Sequence, residues 1–222
     1  MPSPLTHDDP VAFGAYRLIA RLGSGEMGTV YLARSAAGRT VVVKTMHARI
    51  ASDPPFRTRF RLEVDAARVI VGQFCAAVVD AGPLAATPWL ATEYVFGPPL
   101  DEAVELAGLL PESSVGVLGA ALCTALGQVH RSDVVHRDLK ASNIMVTAYG
   151  PKVIDFGIAR PEHGLTLTTT GQTPVTPGYG APEQVLVRRV VRSRTPNITG
   201  SRPTRHRVFV MNDSSLTVLP VF

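Results

Sequence analysis

The stretch His136-Arg137-Asp138-Leu139-Lys140-Ala141-Ser142-Asn143, with Asp155-Phe156-Gly157 beginning twelve residues after Asn143, decides how the rest of the chain is read. It lies among short strand-like pieces, Val134-Val135, Ile144-Met145-Val146 and Lys152-Val153-Ile154, joined by polar loops. The reactive side chains therefore fall on loops held between strands. Two carboxylates, an amide and a lysine in so short a span meet the needs of phosphoryl transfer. One carboxylate can take a hydroxyl proton, oxygen ligands can hold magnesium, and a cation can face the developing charge.

Toward the N-terminus, Gly23-Ser24-Gly25-Glu26-Met27-Gly28-Thr29-Val30 has the pattern G-x-G-x-x-G-x-V. Glycines there let backbone amides lie over phosphate oxygens. A dinucleotide-binding fold shows a similar glycine pattern but needs a helix directly after it, whereas Thr29 to Ala33 reads as a strand. With Tyr16 to Leu22 and Thr40 to Lys44 it predicts an antiparallel meander with turns at Gly23 to Gly28 and at Gly38. Lys44 ends the third strand. After the break at Asp53-Pro54-Pro55, residues Phe60, Val64, Ala67 and Val71 recur at helical spacing, with Glu63 beside the apolar stripe. Val78-Val79 and Trp89 to Val95 predict two more strands, and Gly97-Pro98-Pro99 ends the small lobe. A second helix is expected from Pro111 to His130, with Val115, Leu118, Leu122, Leu126 and Val129 on one face.

Taken together, the Gly23 segment, Val41-Val42-Val43-Lys44, His136-Arg137-Asp138-Leu139-Lys140, Asp155-Phe156-Gly157 and Ala181-Pro182-Glu183 stand in the order and approximate spacing of the protein-kinase signature set. Chance agreement at five sites is negligible. From about Phe13 to Gln184 the chain resembles bacterial, especially actinobacterial, serine/threonine protein kinases. The resemblance implies an α+β, two-lobe kinase-like fold: a small β-rich N-lobe with one key helix, and an incomplete helical C-lobe. It implies transfer of the ATP γ-phosphate to serine or threonine hydroxyls of protein substrates, self-phosphorylation included, with Mg2+ as the cofactor and Mn2+ as the alternative ion. Asp138 is then the base, Lys140 steadies the γ-phosphate, and Lys44 contacts the α- and β-phosphates while held by Glu63. Asn143 and Asp155 hold the metal. The ATP site takes in Leu22, Gly23, Ser24, Gly25, Glu26, Met27 and Gly28. Val30 and Val42 sandwich adenine, and backbone groups of Glu93 and Val95 bond it, with Thr92 as gatekeeper. Arg137 suggests regulation by loop phosphorylation, with candidates Thr168, Thr169, Thr170 and Thr173. Thr176 with Lys140 favours serine/threonine over tyrosine substrates.

Val175 and Gly180 depart from the family pattern, and nothing from Arg188 onward resembles the helices expected there. The expected division is a flexible leader (1–12), an ATP-binding N-lobe (13–96), a partial C-lobe (97–187) cut short after Ala-Pro-Glu, and a disordered or out-of-frame tail (188–222). That tail has seven arginines against the single Asp213, a net +6, which leaves −2 for the other residues of a chain whose total is +4. Nucleic-acid binding is disfavoured, because arginines without a basic fold behind them are usually a solvated tail. The rival function is a non-catalytic nucleotide-binding remnant, a pseudokinase acting as a binding module through its basic tail. The 222 residues, 45% hydrophobic and 18% charged, suit a globular domain of either kind. Two cysteines, Cys75 and Cys123, are too few and too far apart for a disulfide framework or a zinc site. The N-terminus has no secretory pattern, and no run approaches the roughly 18 apolar residues of a spanning helix. The expected location is cytoplasmic.

Overall fold

In the computed structural model, residues 2–25, 28–155 and 179 are described, together with strands at 206–212 and 215–221. The chain divides into two units, Met1–Val190 and Val191–Phe222.

In the first unit a short strand, Ala12–Phe13 (β1), leads into the meander of Tyr16–Ser24 (β2), Thr29–Ser35 (β3) and Thr40–Thr45 (β4). Val78–Gly82 (β5) and Trp89–Glu93 (β6) complete a six-stranded sheet in the order β1-β2-β3-β4-β6-β5. Alternation along the strands sorts side chains to two faces. Tyr31, Ala33, Val41 and Val43 are buried with Tyr16, Leu18, Trp89 and Ala91 in one cluster. The alternate positions Val30, Val42 and Lys44 stay half-buried.

Residues 1–12 were expected to be loose, and the structure corrects this. Leu5 and Phe13 pack against the Tyr16 cluster, and Ser3 exchanges backbone hydrogen bonds with Arg21 at 2.8 and 2.9 Å. The Asp9 carboxylate accepts from Arg21 Nη2 at 2.7 Å and from Tyr31 Oη at 2.6 Å. The Arg21 guanidinium holds this carboxyl far below the usual carboxylate range, with the Tyr31 and Thr6 bonds adding to the effect. An apolar anchor and a charged one fix the leader to the back of the sheet.

A four-residue helix, Ala48–Ala51 (α1), precedes Pro54–Ala67 (α2). The second begins as its sequence dictates: Asp53 accepts from the Phe56 amide at 3.2 Å, and proline occupies the first turn. Phe56, Phe60, Val64 and Ala67 are its buried face. The expected fourth apolar position was Val71, but the helix stops at Ala67 and Val71 is exposed; Ile70, past the turn, is buried instead.

In the larger lobe, Leu100–Ala107 (α3), unanticipated, is followed by Glu112–Arg131 (α4). The buried line of α4 is Ala121, Ala125 and Val129 rather than the leucine face, with Leu122 packed at its edge. Small side chains there permit close approach to the hairpin of Ile144–Thr147 (β7) and Gly150–Val153 (β8). Contrary to the expectation that no run suffices, α4 is long and apolar enough by length and composition to cross a membrane. Its Ala125 and Val129 lie in the same core as Phe60 and Val153, while most of the helix is exposed or half-buried. Val134-Val135 is not a strand; Val134 enters that core from the turn after α4.

In the second unit, His206–Asn212 (β9) and Ser215–Val221 (β10) pair antiparallel, with Asn212 opposite Ser215. This hairpin lies inside the stretch expected to lack structure. Its source is the run of valines with Phe209 and Thr217, residues that favour extended backbone.

Candidate active site

Lys44 sits at the end of β4, opposite Val30 on β3 and Leu90 on β6. Its Nζ lies 3.3 Å from Asp155 Oδ2, although 111 residues separate the two. Asp155 has φ +56°, a left-handed conformation that aspartate tolerates better than most residues and that turns the chain sharply after β8.

The loop between α4 and β7 is built around His136, which is buried. Its Nε2 is 3.0 Å from the Ile154 carbonyl oxygen, and its Nδ1 is 3.4 Å from the Asp138 amide. A carbonyl can only accept and an amide can only donate, so the partners require the neutral tautomer with hydrogen on Nε2. Burial pushes the imidazole pKa down, in agreement. Arg137 follows with φ +61°. The Asp138 amide donates to the His136 carbonyl at 2.8 Å, and the Asp138 carboxylate gathers Lys140 Nζ at 3.2 Å and Asn143 Nδ2 at 3.1 Å. Asn143 Nδ2 also donates to the Asp138 carbonyl at 2.8 Å. Asp138, Lys140 and Asn143 thus form one cluster.

The expected pairing of Glu63 with Lys44 is corrected. Lys44 meets Asp155, and Glu63 Oε1 accepts from Arg137 Nη1 at 2.7 Å, both side chains being more than four-fifths buried. Spacing along the chain places Glu63 on the inner side of α2, but packing decides which of two nearby cations it meets.

The glycine turn is closed by the Gly25 amide donating to the Gly28 carbonyl at 3.0 Å, and His47 Nε2 lies 2.8 Å from the Gly25 carbonyl. Glu26 and Met27 lie outside the described residues. At the hinge, the Glu93 amide donates to the Ala77 carbonyl at 2.9 Å, and Val95 is buried. Thr92 lies opposite Val42. The sequence reading missed Lys152, whose Nζ is 2.7 and 2.9 Å from the two Glu93 carboxylate oxygens. No local signal marks it, since a strand lysine is usually solvated. Phe156-Gly157, Thr168, Thr169, Thr170, Thr173, Val175, Thr176, Gly180 and Ala181-Pro182-Glu183 lie outside the described residues.

Among the described residues no group of three or more His, Cys, Asp or Glu could form a metal cage. The donors at hand are the Asp155 carboxylate and the Asn143 amide oxygen, whose nitrogen is already committed to Asp138. Few hard oxygen ligands, completed by substrate phosphates, suit magnesium. The residues fit that ion.

A curled sheet with a glycine turn over a strand lysine, facing a loop that clusters an aspartate, a lysine and an asparagine, defines a phosphotransferase of the kinase type. Comparison with known proteins agrees: the family model for the protein kinase domain matches residues 16–196, and the chain belongs to that family. The match extends twelve residues beyond Gln184. The serine/threonine-protein kinase AfsK of Streptomyces griseus is 49% identical over 191 residues, covering 86% of this chain and 24% of the relative. The probable serine/threonine-protein kinase PkwA of Thermomonospora curvata is 47% identical, covering 83% and 25%. The serine/threonine-protein kinase PknB of Mycobacterium tuberculosis is 38% identical, covering 76% and 28%. The chain thus spans about a quarter of the length of these curated relatives. Among solved structures, the kinase domain of M. tuberculosis PknI aligns with TM-score 0.60 at 28% identity, covering 72% of this chain and 66% of that one. The fold is the two-lobe kinase fold, and the relatives place the chain among actinobacterial serine/threonine kinases.

Proposed function

We propose that the chain binds Mg-ATP and transfers its γ-phosphate to serine or threonine hydroxyls of proteins. The observation that carries this reading is the approach of Lys44 to Asp155, which sets a phosphate-binding cation beside a metal-binding carboxylate. Adenine is held between Val30 and Val42 against the backbone of Glu93 and Val95, and the phosphates lie under Gly23 to Gly28. Asn143 and Asp155 hold magnesium, which neutralises phosphate charge when bound. Asp138 orients the substrate hydroxyl and takes its proton, while Lys140, beside it, meets the charge on the γ-phosphate. Transfer of labelled phosphate from ATP to a generic basic protein tests this. Asp138→Asn should lower the rate on the order of a hundredfold or more with the melting midpoint kept. Equal turnover by the variant would overturn the reading.

One observation favours a resting state over a permanently active one: Arg137 is engaged by Glu63. A phosphothreonine in the loop that holds Thr168, Thr169, Thr170 and Thr173 would compete for that guanidinium. Its displacement of Glu63 would free the carboxylate for Lys44.

A further inference from the structure

Glu93 is the point where three segments meet. On one side its amide donates to the Ala77 carbonyl at 2.9 Å, and its Oε2 accepts from the Ala77 amide at 3.4 Å. On the other side Lys152 reaches over from β8 and places Nζ 2.7 and 2.9 Å from the two carboxylate oxygens. Lys152 itself stands on a fixed base. Its neighbour Val153 is fully buried, donates its amide to the Phe74 carbonyl at 2.8 Å and accepts from the Ala76 amide at 2.9 Å. The companion strand β7 ties down the exit from the hinge, since the Val146 amide donates to the Pro98 carbonyl at 2.8 Å.

We propose that Lys152 is a positioning residue for adenine recognition, acting through Glu93. This rests on the reading that the hinge backbone binds the base. The Glu93 amide is already spent on Ala77, so a backbone hydrogen bond from this residue to a base would be made by its carbonyl. The direction of that carbonyl depends on how firmly the residue is held. Ala77 holds the residue from the sheet side and Lys152 from the hairpin side, so the carbonyl is aimed before a nucleotide arrives. An isolated exposed ion pair contributes little. This one spans both carboxylate oxygens, and the two side chains are 23% and 34% exposed, so its effect is on orientation. Preorganising a binding group lowers the ordering cost paid on association.

The test uses the full 222-residue chain and two probes, a fluorescent ATP analogue and inorganic tripolyphosphate. Lys152→Met should weaken the analogue on the order of fivefold and leave tripolyphosphate affinity unchanged, because tripolyphosphate has no base. Lys152→Arg should restore the analogue to within about twofold. Glu93→Gln should weaken it as Lys152→Met does, and the double variant should lose little more, since both remove the same contact. Should Lys152→Met melt below the assay temperature, Lys152→Gln replaces it. Unchanged analogue affinity in the Lys152 variants, or an equal loss for both probes, overturns the proposal while nucleotide binding stands. No analogue binding by the unaltered chain overturns the nucleotide reading, and this proposal with it.

Discussion

A methyl group added at Gly28 would lie 1.6 Å from the Thr45 carbonyl oxygen, whereas one added at Gly25 would meet nothing within 4 Å. The two glycines therefore answer to different demands, one to packing against β4 and the other to space above the sheet. Gly28→Ala should destabilise the chain by about 1–3 kcal/mol through overpacking. Gly25→Ala should leave the urea midpoint unchanged and, on the proposed reading of the glycine turn, weaken the ATP analogue, because the methyl would stand where the phosphates pass. Paired denaturation and titration curves check both. His136 adds a pH dependence. Burial lowers its folded pKa from the usual 6.5, so below that value the unfolded chain takes up a proton that the folded chain refuses. Its contribution to stability is complete above about pH 6.5 and is lost as pH falls below it. Urea denaturation at pH 7.5 and 5.5 should show a larger drop for the unaltered chain than for His136→Gln, and equal drops would refute the assignment.

At the level of elements, α2 and the docked leader make separate demands on the sheet. Phe60 is 1% exposed and stacks on Phe56 with ring centroids 6.2 Å apart. Phe60→Ala should cost about 3–5 kcal/mol, and the same variant should loosen Glu63, which lies one turn along the helix. The leader depends on charge as well as packing. With its folded pKa held well below the usual 3.8, Asp9 contributes stability that is complete above that value, begins to fall there and is lost only as pH drops through the lower folded pKa. Asp9→Asn should therefore melt lower than the unaltered chain at pH 7, and the gap should narrow steadily as pH falls below 3.8, where the unfolded chain takes up a proton that the folded Asp9 still refuses. A gap that persists in acid would mean that shape, not charge, holds the leader.

Among the described residues, three ion pairs join parts far apart in sequence: Lys44 with Asp155, Glu63 with Arg137, and Glu93 with Lys152. The middle pair links α2 to the loop that carries Asp138, so a change at Arg137 is felt at Glu63 on that helix. If loop phosphorylation draws Arg137 away, phosphorylated chain should be more active than phosphatase-treated chain, on the order of tenfold, the usual range of coupling between sites. Arg137→Ala should remove that difference. A phosphorylation effect that survives in the variant would show that Arg137 is not the receiver.

Much of this protein was legible in its sequence. The strands announce themselves by alternation, α2 by its Asp-Pro start and apolar spacing, and the site by residue types whose chemistry has few substitutes: a glycine-rich turn, a lysine at a strand end, Asp138 and Asn143 on one short loop. These signals are local, because backbone geometry and catalytic chemistry constrain a residue together with its near neighbours. The pairing of charges was not legible. Glu63 and Arg137 are 74 residues apart and Lys152 and Glu93 are 59 apart, and no spacing rule joins them. Nor did Asp9 in a polar leader announce that it would be held by Arg21 and Tyr31. Sequence determined which residues could do the chemistry. Only tertiary packing, which sets through-space distances to fractions of an ångström, decided which charge each of them meets.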